Sequence, residues 1–146
     1  MNPTARGRIA DRLSDFEASL EVGIGENGAV AAALRARGRD VTAMDVSDAA
    51  AEAAPEGVRF RRADVTEIAA AADPMAALAL PRAPGVVYAC NLPAELQRPT
   101  LRLAERLDAV CAFTTLGFEE PVVPVRRRHA VGSDTLYVVR GRIGSD

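Results

Sequence analysis

The stretch that decides the predicted fold is Glu21-Val22-Gly23-Ile24-Gly25-Glu26-Asn27-Gly28. An apolar strand, Ser19–Val22, runs into it, and a strong helix former, Ala29–Arg37, follows it and ends at Gly38. Glycines at this point let the backbone turn tightly and let a ligand approach without meeting a Cβ atom. The helix that follows presents unpaired N–H groups and the positive end of its dipole. The order strand, glycine turn, helix therefore predicts a βα unit that binds a ligand at the turn.

Elements of the same two kinds alternate through most of the chain. The further predicted strands are Val41–Met44, Val58–Phe60, Gly85–Ala89 and Ala109–Thr114. The other predicted helices are Ala5–Phe16, Asp48–Ala54, Met75–Leu80 and Ala94–Leu107. Short apolar strands that alternate with helices are typical of βαβ units, whose parallel sheet is covered by helices on both faces. We therefore predict a Rossmann-like α/β fold.

The C-terminal part of the chain has a different pattern. Val123–Val131 and Thr135–Arg140, joined by Gly132-Ser133-Asp134, predict a β-hairpin. Only Leu116–Pro121 separates this hairpin from the fifth strand, whereas a parallel crossover needs about a dozen residues or more. We therefore predict that the strand after the fifth is antiparallel to it, in a sheet that is otherwise mostly parallel. Because edge strands pair readily with another chain, the hairpin is also the expected surface for a homodimer or a protein partner.

The composition limits the class of protein. With 146 residues, 49% of them apolar, the chain can build one domain with its own core, which we place over residues 1–146. Its 18 basic and 20 acidic residues give a net charge of −2, which argues against nucleic acid as a partner. All the basic residues are arginine. The absence of lysine excludes Schiff-base enzymes and P-loops of the Gly-Lys-Ser/Thr type.

The location and the metal content are also predicted from composition. No apolar run approaches the ~20 residues that span a bilayer, and Met1–Arg12 has no apolar signal core. We therefore expect a cytoplasmic protein without membrane contact. Cys90, Cys111 and the one histidine are too few soft ligands for a zinc site, so we expect no metal and interpret the cysteines as buried thiols.

A carboxylate follows the second strand at the spacing expected for a ribose-binding site. Asp45 lies 20 residues after Gly25, where an aspartate can accept hydrogen bonds from both ribose hydroxyls. A ribose-bearing cofactor is implied. The local alternative is that the glycines only close a tight turn and that Asp45 caps a helix at Ser47–Ala50.

Glu21-x-Gly23-x-Gly25 resembles the first motif of methyltransferases that depend on S-adenosylmethionine (SAM), in which an acid stands two residues before the first glycine. The resemblance covers approximately residues 19–114. It implies that Asp45 binds the ribose, that Asp64 meets the adenine amino group and that the Val65 amide meets a ring nitrogen. The chain as a whole resembles a small, functionally uncharacterised archaeal family with a methyltransferase-like Rossmann fold. The cofactor-binding residues implied are Glu21, Gly23, Gly25, Gly28, Asp45, Asp64 and Val65.

Three departures from the methyltransferase pattern keep alternatives open. Asn27 stands where many of these enzymes have glycine, so that with Gly28 the loop also fits Gly-x-Gly-x-x-Gly and NAD remains an alternative cofactor. No helix is predicted between the fifth strand and the hairpin. Asn91-Leu92-Pro93 resembles the motif with which adenine amino-methyltransferases hold the target amine, but Ala94 replaces their aromatic residue. Asn91 is therefore a weak catalytic candidate, and the favoured interpretation is that Pro93 starts the next helix and Asn91 caps it.

The run Arg126-Arg127-Arg128-His129 is open to two interpretations. It could be a phosphate-binding patch, but alternation along a strand divides it between two faces. Charged side chains also protect edge strands from aggregation, which is the favoured interpretation, with His129 at the surface.

The sequence supports three functions. The leading one is binding of SAM or its demethylated product, with methyl transfer to an unknown acceptor; alignment alone can drive this reaction, so no conspicuous acid or base is required. The alternatives are a non-catalytic Rossmann module that binds a nucleotide or a partner, and an NAD-dependent oxidoreductase.

Overall fold

The computed structural model describes residues 3–144 and arranges them around one seven-stranded sheet. The strands are β1 (Ala18–Val22), β2 (Asp40–Asp45), β3 (Arg59–Arg62), β4 (Val86–Leu92), β5 (Val110–Thr115), β6 (Arg127–Val131) and β7 (Asp134–Arg140). Their order across the sheet is β3-β2-β1-β4-β5-β7-β6. Strands β1 to β5 are parallel, and β7 is antiparallel to both of its neighbours. The predicted Rossmann-like α/β fold with an antiparallel C-terminal hairpin is confirmed.

Helices cover both faces of the sheet. They are α1 (Pro3–Leu13), α2 (Ala29–Ala36), α3 (Asp48–Ala53), α4 (Val65–Ala70), α5 (Pro74–Ala77) and α6 (Ala94–Arg106). Side chains alternate between the faces of a strand, so Leu20 packs with Ile68 and Leu103 in one core, and Tyr88 packs with Leu34 in the other. None of the helices within residues 3–144 is long and apolar enough to cross a membrane.

The direction of β6 differs from the prediction. Because β7 lies between β5 and β6 and is antiparallel to both, β6 runs in the same direction as β5. The strand begins at Arg127 instead of Val123, which leaves residues 116–126 to cross over without a helix. The predicted direction is wrong because the apolar Val123 and Val125 suit a strand, whereas in the structure they pack on the core as part of the connection.

Three smaller differences concern local structure. The helix α4 was not predicted. The hairpin turn contains two residues, Gly132 and Ser133, because Val131 pairs directly with Asp134. His129 is only 3% exposed, so its expected surface position was wrong. Its strand packs against α1, which buries that face of the sheet edge.

The parallel strands place the predicted site residues along one edge. The carboxyl ends of β1 to β5 meet there. From β1 the next two strands of the chain are added on one side, whereas β4 and β5 are added on the other side, so the strand order reverses between β1 and β4. Ligands of open α/β sheets bind at this kind of switch point.

Candidate ligand-binding site

The loop after β1 combines left-handed backbone with open space. Gly23 has φ 68° and Gly25 has φ 60°, conformations that other residues rarely adopt. The Gly23 amide donates a 2.8 Å hydrogen bond to the carbonyl of Met44, which ties the loop to the end of β2. A Cβ atom added to either glycine would meet nothing within 4 Å. The backbone conformation therefore requires glycine, and the space in front of the loop is open to a ligand.

Asp45 holds the glycine loop from the end of β2. Its Oδ2 accepts a hydrogen bond from the Gly25 amide at 2.8 Å, and its Oδ1 accepts one from the Ser47 amide at 3.0 Å. The N-cap of α3 is Ser47, whose hydroxyl accepts from the Ala50 amide, so Asp45 is not the helix cap. A carboxylate has about four lone-pair sites. Asp45 can therefore hold the loop and still accept hydrogen bonds from a ligand.

Asp64 and Val65 begin α4 beside Asp45. Asp64 is the N-cap, and its Oδ1 accepts from the Thr66 amide at 2.8 Å. The Ala63 amide donates to the backbone carbonyl of Asp45 at 3.0 Å, which fixes this segment next to the end of β2. As the first residue of the helix, Val65 has an amide without an intrahelical acceptor. Asp64 and Val65 can thus offer one acceptor and one donor side by side.

Glu21 lies within the protein, not in the open space in front of the loop. It is 1% exposed, and its Oε1 accepts a 2.7 Å hydrogen bond from the Tyr88 hydroxyl. Burial raises the pKa of Glu21 from 4.5 to about 7; the Tyr88 hydrogen bond lowers this pKa and the charge of Asp45 raises it. The carboxyl group of Glu21 therefore keeps its proton to a higher pH than an exposed glutamate does.

Gly28 differs from the other two glycines of the motif. Its φ is −92°, which any residue can adopt. A Cβ atom on Gly28 would lie 2.6 Å from Cγ of Pro55. Close packing between the start of α2 and the loop after α3 therefore accounts for this glycine.

Asn91 lies in an irregular, strained part of β4. The pairing of β4 with β5 shifts register between Ala89 and Leu92, and Asn91 has φ 56° with an exposed side chain. Its amide donates to Oγ1 of Thr114 at 2.8 Å. The N-cap of α6 is Pro93, without a side-chain capping bond, so the interpretation of Asn91 as a cap and Pro93 as the first helical residue is wrong. Strain of this kind at a strand end is common at functional sites.

A small cavity next to the glycine loop is lined by an arginine that no sequence motif indicates. The cavity measures about 60 Å³ and is lined by Arg6, Ile24, Asn27, Val30, Cys90 and Asn91. Burial raises the pKa of the Cys90 thiol, the charge of Glu21 raises it further, and Arg6 lowers it. Arg6 is one of 18 arginines, and the packing of α1 against α2 and β6 brings it to the site. No local pattern could have identified it.

A larger cavity lies beyond the end of β5. It measures about 240 Å³ and extends from Thr114 to Asp134 at the start of β7. Glu119, Tyr137 and the fully exposed Phe118 also line it. Since Thr114 binds the Asn91 amide, this cavity begins where the strained end of β4 lies.

The fold is that of SAM-dependent methyltransferases. An rRNA methyltransferase from Streptomyces viridochromogenes superposes with a TM-score of 0.64, over 96% of this chain and 88% of its own, at 17% identity. An RNA methyltransferase from Salinibacter ruber, in complex with S-adenosyl-L-homocysteine, gives a TM-score of 0.61 over 100% of this chain and 97% of its own, at 21% identity. A ribosomal protein L11 methylase from Lactobacillus delbrueckii gives 0.62, over 97% and 81%, at 17% identity. At such identities the likeness establishes the fold.

The chain belongs to the uncharacterised protein family UPF0146, whose sequence pattern matches residues 8–142. Two UPF0146 proteins of Halobacterium salinarum, from strains R1 and NRC-1, are 44% identical to it over 132 residues, which is 90% of this chain and 94% of theirs. The predicted resemblance to an archaeal family with a methyltransferase-like fold is therefore confirmed.

Proposed function

We propose that this chain binds SAM at the carboxyl edge of the sheet and transfers its methyl group to an acceptor. The observation that carries the proposal is the 2.8 Å hydrogen bond from the Gly25 amide to Asp45, beside an open glycine turn. A ligand across this turn meets bare backbone at Gly23 and a fixed carboxylate at Asp45. Two vicinal ribose hydroxyls suit that carboxylate, since its oxygens keep free lone pairs.

The start of α4 supplies contacts for an adenine ring next to the ribose. The second carboxylate oxygen of Asp64 can accept from an exocyclic amino group, and the Val65 amide can donate to a ring nitrogen. Both groups are oriented by the capping hydrogen bond from Thr66 to Asp64. An adenosine moiety therefore fits the ends of β2 and β3.

The cavity at Arg6 suits the amino-acid end of SAM. This end carries a carboxylate, and charge-assisted hydrogen bonds to arginine are among the strongest available to a protein. Arg6 and Asn27 line the same small cavity next to the glycine loop. We assign Arg6 the carboxylate and Asn27 a polar contact beside it.

The strand order favours SAM over NAD. The dinucleotide-binding fold uses a second βαβαβ half with parallel strands in the order 3-2-1-4-5-6. In this chain the antiparallel β7 takes the place next to β5, and the connection after β5 has no helix within residues 116–126. Gly28 is also accounted for by packing on Pro55, which weakens the argument from Gly-x-Gly-x-x-Gly.

Methyl transfer requires room for an acceptor near the methyl donor. When bound, SAM supplies a methyl group on a positively charged sulfur. The 240 Å³ cavity between Thr114 and Asp134 provides the space, and Asn91 lies between it and the cavity at Arg6. Alignment of the acceptor with the methyl group is the main contribution that the protein makes to such a reaction. We assign Asn91 the positioning of the acceptor.

Calorimetric titration with SAM, S-adenosylhomocysteine and NAD tests cofactor binding. We expect SAM and S-adenosylhomocysteine to bind. Asp45→Asn should lower the affinity for both by about tenfold or more, which is the usual effect of losing hydrogen bonds to a charged group. Asp40→Asn is the matched control, because Asp40 lies on the same strand at its other end, where it pairs with Arg59. Tighter binding of NAD than of SAM would overturn the proposal.

Incubation with labelled SAM and mixed small-molecule, protein and RNA acceptors tests methyl transfer. Labelling that is lost in Asn91→Ala supports the enzyme. Cofactor binding without any labelling would instead indicate a non-catalytic module that needs a partner, with the exposed edge at β6 as its docking surface.

A further inference from the structure

A third cavity lies at the beginning of the outermost strand β6, at the end of the sheet opposite to the carboxyl ends of β1 to β5. It measures about 140 Å³, and its polar lining consists of Arg126, Arg127, His129 and Arg142. Arg126 precedes β6 and Arg142 follows β7; these ends meet because the two strands are antiparallel, as the hydrogen bond from the Arg126 amide to the Val138 carbonyl shows. The sequence run at Arg126–His129 thus becomes part of a three-dimensional site.

The cavity concentrates positive charge, and no carboxylate of residues 3–144 lines it. Its remaining walls are Val138, Gly141 and Ile143. Among residues 3–144, the ion pairs of arginine do not involve any of the three arginines of this cavity, although all three are exposed. Their neighbours are paired: Arg128 with Glu120 and Arg140 with Asp108.

Protection of the sheet edge does not account for this arrangement. Charges on an edge strand discourage pairing with another chain, and that explains Arg127 on β6. Arg142, however, follows β7, which is an inner strand of the sheet. The exposed Asp15 lies near Gly144, two residues beyond Arg142, but it does not line the cavity. Three guanidinium groups around one hollow repel one another unless an anion lies between them.

We propose that this cavity binds a phosphate group. Guanidinium groups match phosphate oxygens in pairs of parallel hydrogen bonds, and arginine is the preferred residue for such recognition. A phosphate offers enough acceptor oxygens for three arginines at once. The buried His129 forms the polar floor of the hollow, 3% exposed.

Two sources of phosphate share this chemistry. One is a free or nucleotide phosphate, and the other is the phosphodiester backbone of RNA. The net charge of the whole chain is −2. Any attraction of a polyanion must therefore come from this local patch.

The test uses the double variant Arg127→Gln/Arg142→Gln, with Arg128→Gln as the matched control. Arg128 is adjacent in sequence but faces the other side of the sheet, over the ring of Tyr137. All these side chains are exposed, so the variants should fold, which thermal unfolding checks. The probes are inorganic diphosphate in calorimetry and a fluorescent single-stranded RNA decamer in anisotropy, both at low salt.

We expect at least one probe to bind, the double variant to bind it at least tenfold more weakly, and Arg128→Gln to stay within about twofold. If RNA is the source, the salt dependence of its binding decreases in the double variant, by a slope of roughly 0.7 for each lost phosphate contact. If diphosphate alone binds, the site serves small phosphates. Binding of neither probe, or an equal loss in Arg128→Gln, would overturn the proposal. SAM affinity should not change in the double variant, since the two sites lie at opposite edges.

Discussion

The hydroxyl of Tyr88 donates a 2.7 Å hydrogen bond to Oε1 of Glu21, and both side chains are buried in the sheet. The two residues are register partners on the adjacent parallel strands β1 and β4. Their hydrogen bond therefore links the two parallel strands between which the strand order of the sheet reverses. Because Glu21 is two residues before Gly23, the bond also supports the start of the glycine loop.

Replacement of Tyr88 by phenylalanine should destabilise the protein. The buried Glu21 carboxyl group then loses its hydrogen-bond donor, which costs about 1–3 kcal/mol for a buried polar group left unsatisfied. Tyr137→Phe is the matched control, because the ring contacts of Tyr137 with Phe113 and Arg128 remain possible. Urea unfolding measures both variants. A smaller loss in Tyr88→Phe than in Tyr137→Phe would contradict the prediction.

The raised pKa of Glu21 should make stability depend on pH. The pKa rises from 4.5 in the unfolded chain to about 7 in the folded one, so the contribution of Glu21 is complete below pH 4.5 and is lost as the pH rises towards 7. Such a shift corresponds to about 3 kcal/mol. Glu21→Gln removes the titration but keeps an oxygen for Tyr88.

The free energy of unfolding of Glu21→Gln, relative to the unmodified protein, should therefore increase by about 3 kcal/mol between pH 4.5 and pH 7 and then level off. The exposed Glu52 provides the control: Glu52→Gln should give a flat difference over the same range. A flat curve for Glu21→Gln would mean that the buried carboxyl group titrates normally.

The glycine loop could be predicted from sequence because its requirement is local. Positive φ at Gly23 and Gly25 excludes most other residues, and the carboxylate that follows β2 is fixed by chain order in a parallel sheet. The six-residue helix α4 could not be predicted in this way because it is short and because its cap, Asp64, is equally suited to a ligand contact. A capping role and a ligand role use the same residue type.

Features that depend on tertiary packing could not be predicted in this way. Val123 and Val125 are apolar because they cover the core, but an apolar run of that length also suits a strand. The direction of β6 followed from that error. The burial of His129 depends on α1, more than a hundred residues earlier in the chain, and so does the approach of Arg6 to the glycine loop.

Gly25→Val should abolish cofactor binding through steric exclusion in front of the loop. Gly38→Val is a closely matched control, because Gly38 also has positive φ, 78°, and open space around a Cβ atom, but it lies after α2. Both variants should lose roughly 1–2 kcal/mol of stability from the left-handed conformation. Only Gly25→Val should abolish SAM binding, which calorimetry measures. Circular dichroism checks that both variants are folded. Unchanged affinity in a folded Gly25→Val protein would remove the loop from the site.

The last prediction separates the two ends of the cofactor. Arg6 lines the cavity at the glycine loop, whereas Asp45 lies at the end of β2. Arg6→Gln should therefore weaken the binding of S-adenosylhomocysteine by about tenfold or more, because the ligand's carboxylate loses a charge-assisted hydrogen bond. Methylthioadenosine has the same adenosine and sulfur but no carboxylate, so its affinity should not change in this variant. Asp45→Asn should weaken the binding of both ligands. Arg8→Gln changes an exposed arginine of α1, the helix that carries Arg6, and should weaken the binding of neither ligand. Calorimetry measures the affinity of each variant and of the unmodified protein for both ligands. Equal losses for both ligands in Arg6→Gln would show that Arg6 supports the loop instead of binding the carboxylate.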